Sequence, residues 1–198
     1  GVVVQSADHQ ALLVEGALIA EGTAPSPITF TSSLDTGGSQ WGGIGFDAGS
    51  TGSMRYTTVR YAGRRNDVSD AFVPGNPYYV SAVTIIGGEL HLENVTLRDV
   101  TGDYDHGLLI DDSTVVMTDT LVTGIGNGGQ HDAAMRVKGP DTVLTMSGCR
   151  FTGNTRDRVL LQTGAMMGYD ATLSAQPVLE GYELTPDFVV PPTVTLTV

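Results

Sequence analysis

Leu90-His91-Leu92-Glu93-Asn94-Val95-Thr96-Leu97 is the stretch that decides the fold. Leu90 and Leu92 alternate with His91 and Glu93, the two-residue period of a strand with one buried face. Asn94 interrupts the alternation, and Val95 and Leu97 resume it. Asn tolerates the left-handed backbone of a sharp bend, so these residues read as two short strands joined at a corner. The pattern is apolar, any, apolar, any, small polar, small apolar, any, apolar.

The same pattern recurs at 12–19, 54–61, 115–122 and 144–151, giving five copies whose starts are 42, 36, 25 and 29 residues apart. The last two spacings approach a basal repeat of about 25, and the first two carry insertions. A third short apolar run lies upstream of each of the four later copies, at 43–46, 82–85, 108–110 and 134–137, and another follows the last copy at 159–161. Three short strands with corners every ~25 residues make one coil of a β-solenoid. Helix formers are scarce, and Gly, Thr and Val punctuate the chain. The fold class expected is therefore all-β: a right-handed, single-stranded parallel β-helix of about five to six coils, each of three short strands, stacked about 4.8 Å apart. The solenoid is expected over 1–180, beginning inside a coil. Residues 181–198 are expected to form a tail, a cap or a linker strand to a following module, because Pro191-Pro192 leads into the alternating Thr193–Val198. Both ends are expected to have neighbours in a longer parent chain.

The run from Gly16 to Ser32, containing Gly22-Thr23 and Pro27-Ile28-Thr29-Phe30-Thr31-Ser32, is followed by Trp41-Gly42-Gly43-Ile44 and Tyr56 to Gly63. Together these resemble the opening of right-handed parallel β-helix domains of the pectin-lyase-like superfamily, over roughly residues 1–180. That resemblance implies an extracellular or cell-surface location, secretion and a modular prokaryotic parent. It says little about activity, because the superfamily holds lyases and hydrolases of acidic polysaccharides beside structural and adhesin modules.

Composition narrows the partners. Twenty-two acidic residues against ten basic give a net charge of −12 in 198 residues. Such a surface repels phosphate backbones, so no nucleic-acid partner is expected. No apolar run approaches the ~20 residues that cross a bilayer, so no membrane insertion is expected. A single Cys excludes an internal disulfide and a cysteine-based zinc site. Cys149 falls at an inward position, equivalent to Val95 and Ala17, and reads as a small core residue.

Candidate chemistry lies on outward residues and corner loops. With a 25-residue shift, Asp111 and Arg136 become vertical neighbours. Asp111-Asp112 and Arg136-Val137-Lys138 resemble the paired aspartates and Arg-x-Lys of polygalacturonase-type glycosidases, in which carboxylates supply acid and base. The Asn-Thr-Asp and Gly-His-Gly strings of those enzymes are missing here. The competing reading is a cross-coil ion pair on a surface ladder. In the corner loops, His106, His131 and Arg156 are 25 apart and are expected to stack, as are Asp132 and Asp157. Asp67, Asp70, Asp103, Asp105 and Asp132 gather on one edge as weak Ca²⁺ candidates, and His106 with His131 as an acid–base pair. Against both stands turn chemistry, since Asp, Asn and Gly are what corners use. The excursion from Ala62 to Tyr78, with Phe72, Tyr78 and Tyr79 at its end, is the expected binding loop. Gly124 to Gly129 matches a dinucleotide spacing but lacks a following helix, and reads as a corner.

Two functions follow. The first is a non-catalytic extracellular module, acting as scaffold or adhesive surface, with carbohydrate or protein ligands at its loop edge, neighbouring modules of its parent chain as partners, end-to-end self-association, and no cofactor beyond Ca²⁺. The alternative is a lyase or glycoside hydrolase of acidic polysaccharide, using Asp111, Asp112, Arg136, Lys138, His106 and His131.

Overall fold

The computed structural model describes residues 1–8, 10–63, 80–102, 105–129, 132–186 and 188–198. Among them every regular element is a strand. The first three, β1 (Val2–Ser6), β2 (Leu12–Val14) and β3 (Ala17–Glu21), lie in three different sheets, here A, B and C. The next three, β4 (Ile28–Ser32), β5 (Ile44–Phe46) and β6 (Thr51–Arg55), revisit the sheets in the same order. So do β7 (Thr57–Arg60), β8 (Val80–Ile86) and β9 (Glu89–Glu93), and then β10 (Thr96–Val100), β11 (Asp105–Asp111) and β12 (Thr114–Thr118). The triplet β13 (Leu121–Ile125), β14 (Ala133–Lys138) and β15 (Val143–Ser147) repeats the order, followed by β16 (Arg150–Phe151) in A and β17 (Arg158–Leu161) in B. Every pairing in these sheets is parallel, so the chain is an all-β solenoid. The C-terminal strands depart from the rotation: β18 (Ala171–Thr172) pairs with β20 (Leu196–Thr197), while β19 (Gly181–Leu184) adds to sheet B.

Like residues stack in columns because each rung repeats the backbone of the last. In sheet A, Val4, Phe30, Val59, Leu97, Val122 and Phe151 share one column. In sheet B, Phe46, Ile85, Ile110, Val137 and Leu161 share another, each no more than 1% exposed. Burying a side chain of this size stabilises by roughly 1.5–3 kcal/mol, so these columns hold the rod together. Cys149 is fully buried beside them, as its register requires.

Corners stack as well. Between sheets C and A sit Tyr56, Asn94, Asp119 and Gly148, with φ of 44°, 53°, 47° and 65°. Near the end of each sheet A strand, where the chain turns toward B, sit Tyr61, Asp99, Gly124 and Gly153, at 62°, 55°, 66° and 72°. Between B and C sit Gly87, Asp112 and Gly139, at 64°, 44° and 72°. These ladders turn the chain through left-handed residues, which explains where much of the Gly and Asp goes. Gly139 admits nothing else, since a Cβ there would lie 2.1 Å from Asp112 Oδ1.

Two of the five sequence copies are misplaced. The copy at 115–122 pairs with 90–97, and the copy at 144–151 with 115–122, both in the expected register. The copy at 54–61 is slipped by two: Met54 opposes Leu92, so the corner is Tyr56 and not Thr58. A two-residue slip keeps each side chain on its face, and the alternation alone cannot detect it. The copy at 12–19 is wrong in kind. Leu12 belongs to sheet B opposite Ile44, and the true equivalent starts at Leu18, with Thr23–Pro27 inserted at its corner.

Candidate functional site

Sheet B carries most of the residues singled out by the sequence, and its rungs are offset by 27 residues there, not 25. The expected Asp111–Arg136 contact is therefore replaced. Asp111 stands opposite Lys138, whose Nζ donates to Asp111 Oδ2 at 2.7 Å. Arg136 moves to the column of Thr84, Leu109 and Leu160, is 6% exposed, and donates from Nη2 to Gln162 Oε1 at 3.1 Å. Asp112 is the left-handed corner residue, and its Oδ1 accepts from the Asp141 backbone N–H at 3.1 Å. A concavity of ≈ 340 Å³ beside this corner is lined by Gly87, Gly88, Glu89, Asp112 and Thr114, among others, with no described cation in its wall.

The same 27-residue offset sets the register of His106. His106 opposes Ser81 and Ala133, not residue 131, and it is fully buried with Nδ1 3.4 Å from Ala133 O. His131 lies outside the described residues, as do Asp67, Asp70, Asp103, Phe72, Tyr78 and Tyr79. An acid–base pair through His106 would need a ring open to substrate, and this ring is enclosed.

Asp105 and Asp132 are also fully buried. Asp132 accepts backbone N–H groups from Asn127, Gly128 and Gly129 through Oδ2, at 3.0, 3.2 and 2.7 Å, and from Asp105 through Oδ1 at 3.2 Å. Asp105 accepts the Gly102 N–H, and Asp157 the Asn154 N–H. These carboxylates cap the loops before sheet B by satisfying amides that the turning chain leaves over. Of the stretch that matched a dinucleotide spacing, Gly124 to Gly129, the first two residues end β13 and the part from Asn127 to Gly129 folds around Asp132 in this way. No group of three or more His, Cys, Asp and Glu is placed to hold a metal ion among the described residues.

Sequence reasoning passed over the outer face of sheet A. Arg60 and Arg98 stand on adjacent rungs, 26% and 37% exposed at the side chain. Asp35 takes Arg60 in a fork, with Nε at 2.9 Å and Nη2 at 2.5 Å. A hydrogen bond from Thr31, then the Arg60 guanidinium, hold the Asp35 carboxyl below its ordinary pKa, with Arg98 adding to the effect. Asp99 lies 3.2 Å from Arg98 Nε. The Tyr61 ring has the Arg60 guanidinium 5.2 Å and the Arg98 guanidinium 6.0 Å from its centre, within cation–π range. The available signal was the doubled Arg-Tyr of Met54-Arg55-Tyr56-Thr57-Thr58-Val59-Arg60-Tyr61.

Compared with protein-family models, curated proteins and solved structures, the chain matches none.

Proposed function

We propose that this chain is a non-catalytic module of a secreted or cell-surface protein, a right-handed parallel β-helix of the pectin-lyase-like kind acting as scaffold or adhesive surface. Right-handed crossover is the strong default for parallel strands joined in this way. One observation carries the functional reading: the candidate catalytic groups that the structure describes are held by other parts of the solenoid. Lys138 holds Asp111, the Asp141 amide holds Asp112, Gln162 meets Arg136, and His106 is enclosed against Ala133. Cross-coil contacts of this sort stiffen a rod and engage these described groups in holding coils together. The module of this proposal needs no cofactor; Ca²⁺ at Asp67, Asp70 and Asp103 of the sequence is the alternative, and chelation tests it.

The test is a screen of acidic and neutral polysaccharides for binding and, separately, for reducing ends and unsaturated products. Binding without product formation supports the module. Turnover that disappears in Asp111→Ala replaces it with the lyase or hydrolase.

A further inference from the structure

The two ends of the solenoid differ. At the C-terminal end sheet A finishes with a strand of two residues, β16, and the chain beyond it covers the core. Met166, Met167 and Leu173 are buried there, and Tyr182, Phe188, Val194 and Leu196 pack against them. At the other end β1, β2 and β3 are the outermost strands of sheets A, B and C, and among the described residues no strand pairs with their far sides. A concavity of ≈ 150 Å³ opens beside β1 and β2, with Val4, Leu12, Phe30 and Trp41 among its walls.

The backbone bonds identify the groups left over at this end. The Val2 N–H donates to Pro27 O, and Ser6 O accepts from the Ser33 N–H. Successive residues of a strand turn their N–H and C=O to opposite sides. Val2, Val4 and Ser6 therefore bond toward β4, and Val3 and Gln5 present both groups to the open side. Leu12 and Val14 bond toward β5, which leaves Leu13 facing out. Gly16 O accepts from Thr51 and the Gly22 N–H donates to Arg55 O, which leaves Ala17, Ile19 and Glu21 facing out. Val2, Val3 and Ile19 are 60%, 61% and 75% exposed. Edge strands ordinarily carry a charge, a proline or a bulge that stops another chain from adding. β1 reads Val-Val-Val-Gln-Ser in unbroken register with β4, and has none of the three.

We infer that this end docks on the same end of a second copy of the chain, with the two β1 strands antiparallel about a two-fold axis through Val4. In that register Val3 lies opposite Gln5 of the second copy, and Gln5 opposite its Val3. Each of these pairs exchanges two N–H···O bonds, because these are the residues whose groups face out. Val4 meets Val4 of the second copy on the axis as the closer, non-hydrogen-bonded pair, and the two apolar mouths cover each other. The first coil, Val2 to Glu21, has 20 residues, the low end of the roughly 20–30 a side in a standard stable interface. A head-to-tail stack would instead set β1 against the covered C-terminal end, where sheet A offers it the two residues of β16. A self-complementary contact of this kind closes at two copies. It does not depend on whether the module is catalytic.

The experiment is sedimentation equilibrium of the intact chain over a range of concentrations. The expected result is a monomer–dimer equilibrium in the micromolar range with no larger species. Val3→Pro removes an N–H that β4 does not use. It is expected to weaken the dimer at least tenfold and to leave the melting temperature of the dilute monomer unchanged. Val3→Lys keeps the backbone, puts a charge on the edge, and is expected to do the same. Val4→Cys is expected to give a disulfide-linked dimer on mild oxidation, since Cα atoms about 4.5 Å apart suit a disulfide. Val189→Cys, exposed in the C-terminal tail, is expected to give none. A chain that stays monomeric, or that grows into an open series of oligomers, overturns the inference. So does a dimer indifferent to both Val3→Pro and Val3→Lys, or Val4→Cys that links no faster than Val189→Cys.

Discussion

Lys138 Nζ lies 2.7 Å from Asp111 Oδ2, one rung away across sheet B, with the two side chains 17% and 21% exposed. Lys138→Ala and Asp111→Ala are each expected to cost about 1 kcal/mol, with most of that shared in the double variant. Chemical denaturation of the four proteins measures it. Additive losses would mean that the pair does not join the coils.

Asp132 gathers four backbone amides onto one buried carboxylate. Asp132→Ala strands these donors and is expected to cost about 2–4 kcal/mol, near the upper range for a single substitution. A chelator is expected to leave the melting temperature unchanged. A fall in melting temperature on chelation, restored by Ca²⁺, would place a metal at the corner loops.

Asp35 has its pKa lowered by the Thr31 hydrogen bond and by Arg60. A depressed carboxylate contributes stability that is fully present above its unfolded value of about 3.9 and lost as pH falls through the folded value. The unaltered chain is therefore expected to be more stable than Asp35→Asn at neutral pH, the gap closing as pH drops through that window. Melting curves that stay equally separated down to the lowest pH would show that Asp35 contributes through shape and not charge.

Cys149 is enclosed, and burial pushes its thiol pKa up. The thiolate is the reactive form, so labelling of the folded chain at mildly alkaline pH is expected to be at least ~100-fold slower than after unfolding. Equal rates would mean that the fifth copy opens freely.

The sequence showed most clearly what repeats without interruption. From Leu90 to Phe151 the corner is a single left-handed residue, so the apolar pairs keep their spacing and register can be counted by eye. Before Leu90 the insertions at Thr23–Pro27 and beyond Gly63 break the count. A slip of two then costs nothing in alternation, as at Met54, and a strand of the wrong sheet passes as a copy, as at Leu12. The candidate site suffered from the same offset. A 25-residue shift holds between β8 and β11, β9 and β12, and β10 and β13, but not between β11 and β14, where two extra residues enter the corner before Ala133. Those two residues exchange Arg136 for Lys138 as the partner of Asp111 and take His106 away from position 131. The Arg60–Arg98 rung was hidden for a different reason: it joins residues of two copies, one of which had been counted two places out.

The central claim is that the outward polar groups of this solenoid join coils and bind ligand but do not catalyse. The most direct measurement is a time course of product release from uronate polymers at increasing protein concentration, beside the same assay on Asp111→Ala. The prediction is a rate equal to that of buffer for both proteins, while the unaltered chain still binds the polymer. Product that accumulates in proportion to the protein, and vanishes in Asp111→Ala, would contradict it.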